Sequence, residues 1–209
     1  MLRTFMALLF GLGLISSAVA ADVDPRYAAG THYKILETRG AVAEPGKIEV
    51  REFFSYICPH CHHLESTVAA WVKTKPDNVN FVRNPVSFLR NSEPLARAYY
   101  VADSLDLVDK IHRPIFDAIH VHGEPLFTPA ALADFFAKYG VDKGKFEQLY
   151  SSFGVSTKVR QADALAREYQ IRGVPSFVVN GKYLVLREHL QSNEEMFDVI
   201  DFLIEKESR

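Results

Sequence analysis

The sequence predicts an α/β fold in which a block of helices interrupts a small sheet. Three observations carry this reading. A strong strand signal over residues 48–56 runs directly into a helix-opening Cys58-Pro59 turn. Residues 91–162 then show helical spacing alone. Residues 174–186 return to β character around an Asn180-Gly181 turn.

The elements follow in order. Arg3, an apolar run over residues 5–15 and the small-x-small stretch Ala18-Val19-Ala20 form a secretory signal peptide, with cleavage expected between Ala20 and Ala21. About 190 residues remain, enough for one domain with an insertion. Residues 32–36 read as a short strand, and Glu44-Pro45-Gly46 as a turn. In the next strand Ile48, Val50, Phe54 and Tyr56 share one face and Phe53 lies on the other. Apolar residues on both sides suit a central, covered strand. Leu64, Val68, Trp71, Val72 and Lys75 then follow helical spacing up to Pro76, and residues 79–82 form a further strand.

In the helical block Ser92 is a candidate cap ahead of Glu93-Pro94. Residues 111–119 keep helical periodicity, with Pro114 tolerable only near a helix start. Thr128-Pro129 opens another helix and Gly140 closes it. Residues 142–153 and 156–169 supply two more. Asn-Gly between the apolar runs at 174–179 and 182–186 marks a hairpin. Ser192 and Glu195 cap a last helix with Met196, Val199, Ile200, Leu203 and Ile204 inward.

The chemistry concentrates in Cys58-Pro59-His60-Cys61-His62-His63, which holds both cysteines and three of the eight histidines. Three uses compete: a redox C-x-x-C pair, a C-x-x-C-H haem attachment site with His62 as axial ligand, and a thiolate–imidazole metal site. A Cys58–Cys61 bridge closes almost no loop and so adds little stability. In an exported protein such a pair reads as one that changes state. The haem reading lacks a partner, since Met196 is the one methionine beyond the leader. The zinc reading lacks a second ligand pair, and His120-x-His122 does not supply one. Formal net charge is −2, with no basic run or stripe, so nothing recruits nucleic acid.

Cys58 would sit at a helix start, where free N–H groups and the helix dipole favour a thiolate. Pro59 fits the first turn, His60 can add a donor or a charge, and Cys61 lies one turn further in. Stabilising the Cys58 thiolate stabilises the dithiol and makes the disulfide a better oxidant. Glu52 falls in phase with Val50 and Phe54, where a carboxylate is costly unless paired. It is either a buried acid relaying a proton for Cys61 or a structural acid paired with a lysine or arginine. Glu65, four residues after Cys61, is either on the cysteine side of the helix or a solvated surface acid. Val174-Pro175 opens its strand with an ordinary trans bond or with a cis bond that offers the Val174 backbone to an extended substrate.

"EVREFFSYICPHC" and "RGVPSFVVNGKY", together with the leader, resemble the DsbA family of exported thiol:disulfide oxidoreductases over about residues 31–205. The resemblance implies a thioredoxin fold with an inserted all-helical domain: residues 21–90 and 163–209 for the thioredoxin part, 91–162 for the insertion. It implies that Val174-Pro175 is cis and faces the disulfide, that Cys58 attacks, that Cys61 resolves and that His60 tunes. Glu52 and Glu65 match acidic positions of the family pattern. The function implied is that of a periplasmic dithiol oxidase. It would pass its Cys58–Cys61 disulfide to reduced, newly exported polypeptides through a mixed disulfide at Cys58. A membrane quinone-linked oxidase of the DsbB type would reoxidise it. A monomer with no dissociable cofactor and no metal is expected. An isomerase or reductase of the same fold is the nearest rival; such isomerases carry a dimerisation region, and little chain precedes the motif. One departure is His62 where the family often has an aromatic residue; His62 and His63 are expected on the solvent side of the helix.

Overall fold

The structure, a computed structural model, describes residues 26–37 and 39–209. The leader expected at residues 1–20 lies outside them. The elements are β1 (Tyr33–Ile35), β2 (Ile48–Phe54), α1 (Pro59–Thr74), β3 (Val79–Pro85), α2 (Glu93–Ser104), α3 (Val108–His120), α4 (Pro129–Ala137), α5 (Lys143–Tyr150), α6 (Phe153–Glu168), β4 (Ser176–Val179), β5 (Tyr183–Val185) and α7 (Asn193–Glu207).

The sheet order is β1-β5-β4-β2-β3. β2 pairs parallel with β3 and antiparallel with β4, with Glu52 opposite Arg83 on one side and Phe177 on the other. Every residue of β2 is buried, as apolar residues on both faces require. Leu64, Val68 and Trp71 of α1 and Phe197, Ile200 and Leu203 of α7 pack on Val50, Val79, Phe177 and Val179. The other face carries Phe53 and Val178 against Ala166 of α6 and Tyr169. A third core is built by α2–α5 around Ile111, Phe116, Phe136 and Phe146. Phe54, Tyr56, Cys58 and Cys61 belong to that third core. The cysteines therefore lie on the seam between the sheet unit and the helices inserted after β3.

Local chemistry explains the ends of the elements. Thr128, Asp142 and Ser192 cap α4, α5 and α7, each accepting from a backbone N–H three residues on. Ser92 does not act as the expected cap. Its buried hydroxyl donates back to the Leu89 carbonyl at 2.6 Å, closing the preceding turn. Pro114 also departs from expectation, standing inside α3 and not near its start. Its missing N–H leaves the Lys110 carbonyl without a helical partner. Phe153 opens α6 under a Ser152 cap and does not end the helix before it. β3 runs on to Pro85, three residues past the expected end, because β2 stays in register beside it.

The hairpin turn depends on glycine. Asn180 and Gly181 have φ of 52° and 62°, and Lys182 N–H donates to Val179 O at 3.0 Å. A Cβ on Gly181 would stand 2.5 Å from the Gly40 carbonyl oxygen. That approach exists because Gly40 N–H donates to Gly181 O at 2.9 Å, tying the segment after β1 to the turn. Gly181→Ala is expected to lower stability by about 1–3 kcal/mol, from left-handed strain plus the contact. Urea unfolding of the variant beside the parent measures it; an unchanged midpoint would show that the Gly40 segment moves freely.

Candidate active site

Cys58 is the N-cap of α1, with extended backbone at φ −83° and ψ 117°, and Pro59 follows in the first turn. Both cysteines are free thiols, Cys58 9% exposed and Cys61 1%. Both are buried, Cys58 the less so, and Cys61 is shielded one turn deeper. A hydrogen bond from the Cys61 thiol is the main influence that pulls the Cys58 thiol down to about 6. Burial opposes it, while the backbone N–H groups of Cys61 and His60 and the charge on His60 reinforce it. Burial pushes Cys61 the other way, well above an ordinary thiol, and its hydrogen bond to Cys58 and the charges of Cys58 and Glu52 add to the rise. Two thiols three residues apart are thereby driven in opposite directions.

The Val174–Pro175 peptide is cis. The Cys58 thiol donates to the Val174 carbonyl at 3.3 Å, so the start of β4 faces the cysteine across 116 residues of sequence. His60 is exposed and lines a groove of about 560 Å³ with Val174, Pro175 and Ser176. The groove continues along residues 170–173 and the β5 end of the hairpin.

Beneath the cysteines lies a buried polar network. Glu52 is 1% exposed, and burial pushes its carboxyl up to about 8 against the pull of Arg83. The charge on Glu65 adds to that rise. Glu52 Oε2 lies 3.5 Å from Arg83 Nε, and neither atom has a hydrogen-bond partner. Glu65 is 5% exposed and not a solvated surface acid. Arg83 Nη2 donates to Glu65 Oε1 at 2.9 Å, and His112 Nε2 to Glu65 Oε2 at 3.2 Å. Burial pushes the Glu65 carboxyl up, but the His112 bond and the nearby arginines outweigh it and hold the group below its ordinary value. Burial holds the His112 imidazole down. Neutral His112 therefore donates from Nε2 to Glu65 and accepts the Tyr56 hydroxyl proton at Nδ1, 2.7 Å away.

His112 and Tyr56 are the members that reasoning from the sequence missed. A histidine in α3 gives no local sign that it will meet an acid on α1. His62 also departs from expectation. It does not face solvent but packs on α3, donating to Asp117 at 3.0 Å and stacking on His120 at 4.9 Å between ring centroids. His120 in turn donates to the Tyr56 carbonyl at 2.8 Å. His63 is exposed. Among the described residues no cluster of three or more His, Cys, Asp or Glu side chains is arranged to hold a metal ion.

Chemically, a low-pKa sulfur on the groove side, a high-pKa sulfur behind it and a groove beside Val174 suit dithiol–disulfide exchange. Comparison with known proteins agrees. The family model of the DSBA-like thioredoxin domain matches residues 49–196. The thiol:disulfide interchange protein DsbA of Burkholderia cepacia is 39% identical over 208 residues, covering 99% of this chain and 97% of its own. That of Pseudomonas aeruginosa is 40% identical, covering 97% and 92%. The crystal structure of Pseudomonas aeruginosa DsbA superposes with a TM-score of 0.82 at 40% identity, over 87% of this chain and 95% of that one. The Xylella fastidiosa oxidoreductase DsbA gives 0.82 at 34%, over 88% and 98%. This chain belongs to the DsbA family of thiol:disulfide oxidoreductases, and its α/β fold is the thioredoxin fold of that family.

Proposed function

We propose that the protein works in the periplasm as a dithiol oxidase whose Cys58 sulfur meets the substrate. The observation that carries this is the opposed pair of thiols, with the acidic and less buried one at Cys58. A substrate thiolate attacks Cys58 Sγ of the oxidised protein. The Cys58–Cys61 bond breaks, a mixed disulfide forms, and Cys61 leaves with the electron pair. Cys61 then takes a proton, since burial disfavours its thiolate. Glu52, protonated at neutral pH and electrostatically felt at Cys61, supplies that proton. The second substrate thiolate attacks its own disulfide-bonded sulfur. Cys58 leaves as a thiolate, for which its low pKa makes it a good leaving group. The balance is one disulfide gained by the substrate and one lost by the protein.

His60 and Pro59 set the helix start, and the backbone of Val174 ahead of Pro175 pairs with an extended substrate. Glu65 acts at one remove, holding Arg83 and His112 around the network. The substrates are reduced polypeptides arriving by export, which the leader at residues 1–20 would also route this chain through. A membrane quinone-linked oxidase of the DsbB type restores the disulfide. Residues 21–90 and 163–209 form the redox unit and 91–162 the helical insertion, with α6 bridging the two.

Cys61→Ala removes the resolving sulfur and leaves Cys58 free to be captured. Expressed in exporting cells, that variant is expected to accumulate mixed disulfides with exported proteins, released by reductant and absent when Cys58 is also replaced. No adducts would count against Cys58 as the substrate-facing sulfur. Rapid repair of scrambled substrates, with slow oxidation of reduced ones, would favour an isomerase.

A further inference from the structure

The groove beside Cys58 carries a charge pattern that the exchange chemistry does not use. Three cations line it: Lys34 of β1, Arg172 before β4 and Arg187 after β5. None of the three meets a carboxylate among the described residues. Lys34 Nζ donates to the Gln170 side-chain oxygen at 2.8 Å, and Arg187 Nη2 to that of Asn193 at 3.3 Å. Arg172 is exposed and has no partner among the described residues. Glu188 is the one acidic residue in the lining. The protein as a whole carries a formal net charge of −2, so this basic groove is set against the sign of the rest of the molecule.

About half of the cations elsewhere on this surface are already matched to carboxylates. Arg26, Lys47, Arg113, Lys138 and Lys158 each pair with a carboxylate within 3.3 Å. Cations left unmatched around a groove that leads to a reactive sulfur fit a ligand that brings its own negative charge. The rest of the wall is mainly the glycine and aliphatic residues of 171–175 and 184–186, with His60, Gln170 and Ser176 as its other polar members, an elongated lining that suits an extended chain and not a small anion. We infer that the groove selects substrate segments bearing aspartate or glutamate close to the reacting cysteine, with Arg172 and Arg187 as the specificity-determining side chains. This rests on the proposed role of Cys58 as the substrate-facing sulfur. Lys34, tethered to Gln170 at the far wall, extends the same field. The contribution is electrostatic and exposed, so it acts on encounter and docking and fades with salt.

The test uses three two-cysteine peptides of one length, with acidic, neutral or lysine residues flanking the first cysteine. Each is oxidised by the oxidised full-length mature protein in a single turnover at low ionic strength. Each rate is divided by that peptide's rate with a small neutral disulfide, which removes the effect of flanking charge on thiol reactivity. The acidic peptide is expected to react about three- to tenfold faster than the lysine peptide, and the ratio to shrink toward one above about 0.15 M salt. In R172E/R187E the ratio is expected to invert; a ratio taken within one variant is insensitive to any loss of folded protein. Equal normalised rates, or a faster lysine peptide as the net charge alone would give, overturn the inference. Failure of the unmodified protein to oxidise even the neutral peptide would instead overturn the oxidase reading beneath it.

Discussion

The reduced protein is expected to gain stability over its own disulfide form by about 2 kcal/mol as pH rises from 6 to 8.5. The gain comes from Cys58, whose thiol is held at about 6 in the native state. The unfolded chain returns it to about 8.5. Below pH 6 the thiol is protonated in both states and contributes nothing. Between 6 and 8.5 the native protein has released a proton that the unfolded chain still binds, so stability rises with pH. At pH 7 the gain is about 1 kcal/mol, and it is largest near 8.5. It is lost as pH falls through 6. The disulfide form has no such thiol. Native Cys61 stays protonated throughout this window, because burial holds it far above it, whereas in the unfolded chain it begins to ionise near 8.5; it therefore takes back a little of the gain at the top of the window and more beyond it.

Glu52 also changes charge between these states, in the opposite sense. Its raised pKa stabilises the fold below the unfolded carboxylate value, and that stability is lost as pH rises toward about 8. Glu52 is present in both redox forms, so subtracting one stability from the other isolates the thiol to first order. Urea unfolding of both forms at several pH values gives the difference directly. Alkylation of Cys58 across pH, with a midpoint near 6, checks the same group independently. A difference flat from pH 6 to 8.5 would remove the stabilised thiolate. The mechanism depends on it, because each 1.4 kcal/mol favouring the dithiol makes the disulfide about 30 mV more oxidising.

The reactive end of this site was legible in the sequence because its determinants are local. Cys58, Pro59, His60 and Cys61 are consecutive, and a strand followed by a proline-opened helix fixes where they sit. The hairpin was legible for the same reason: Asn180-Gly181 states its own backbone conformation. The cis bond at Val174–Pro175 and its position against Cys58 came from family resemblance, since no local pattern separates cis from trans. The network below the cysteines was half legible. Glu52 announced itself as a carboxylate on an apolar face, but its neighbours did not. Arg83 is fixed opposite it only by the β2–β3 register. His112 arrives from a helix 47 residues beyond Glu65. Glu65 looked equally like a surface acid, because helical spacing gives a direction and not the element that will cover it. His62 is hard to place for that reason: the packing of α1 on α3 turns a position expected to face solvent into a half-buried seam.

Arg83→Met is expected to cost about 3–5 kcal/mol at pH 7. Among the described residues Arg83 is the one cation within ion-pair distance of both buried acids, 2.9 Å from Glu65 and 3.5 Å from Glu52. Methionine keeps most of the stem's volume, so packing alone predicts a small effect. The charge predicts a large one with a definite pH signature. Without Arg83 both carboxyls are pushed up by burial with less to oppose it. Glu52 then rises further above the unfolded value of about 4.3, and Glu65, which keeps its His112 bond, loses part of what holds it down. The penalty is absent below that pH, where both states are neutral, and grows as pH rises toward the folded values. The variant should therefore match the parent most closely near pH 4 and fall furthest behind it near pH 8. Glu52→Gln and Glu65→Gln, added to the same chain, should recover most of the loss at pH 7. A glutamine at 65 still accepts from His112 through its side-chain oxygen. A deficit equal at pH 4 and pH 7 would mean that the Arg83 stem, and not its charge, holds the network under the cysteines.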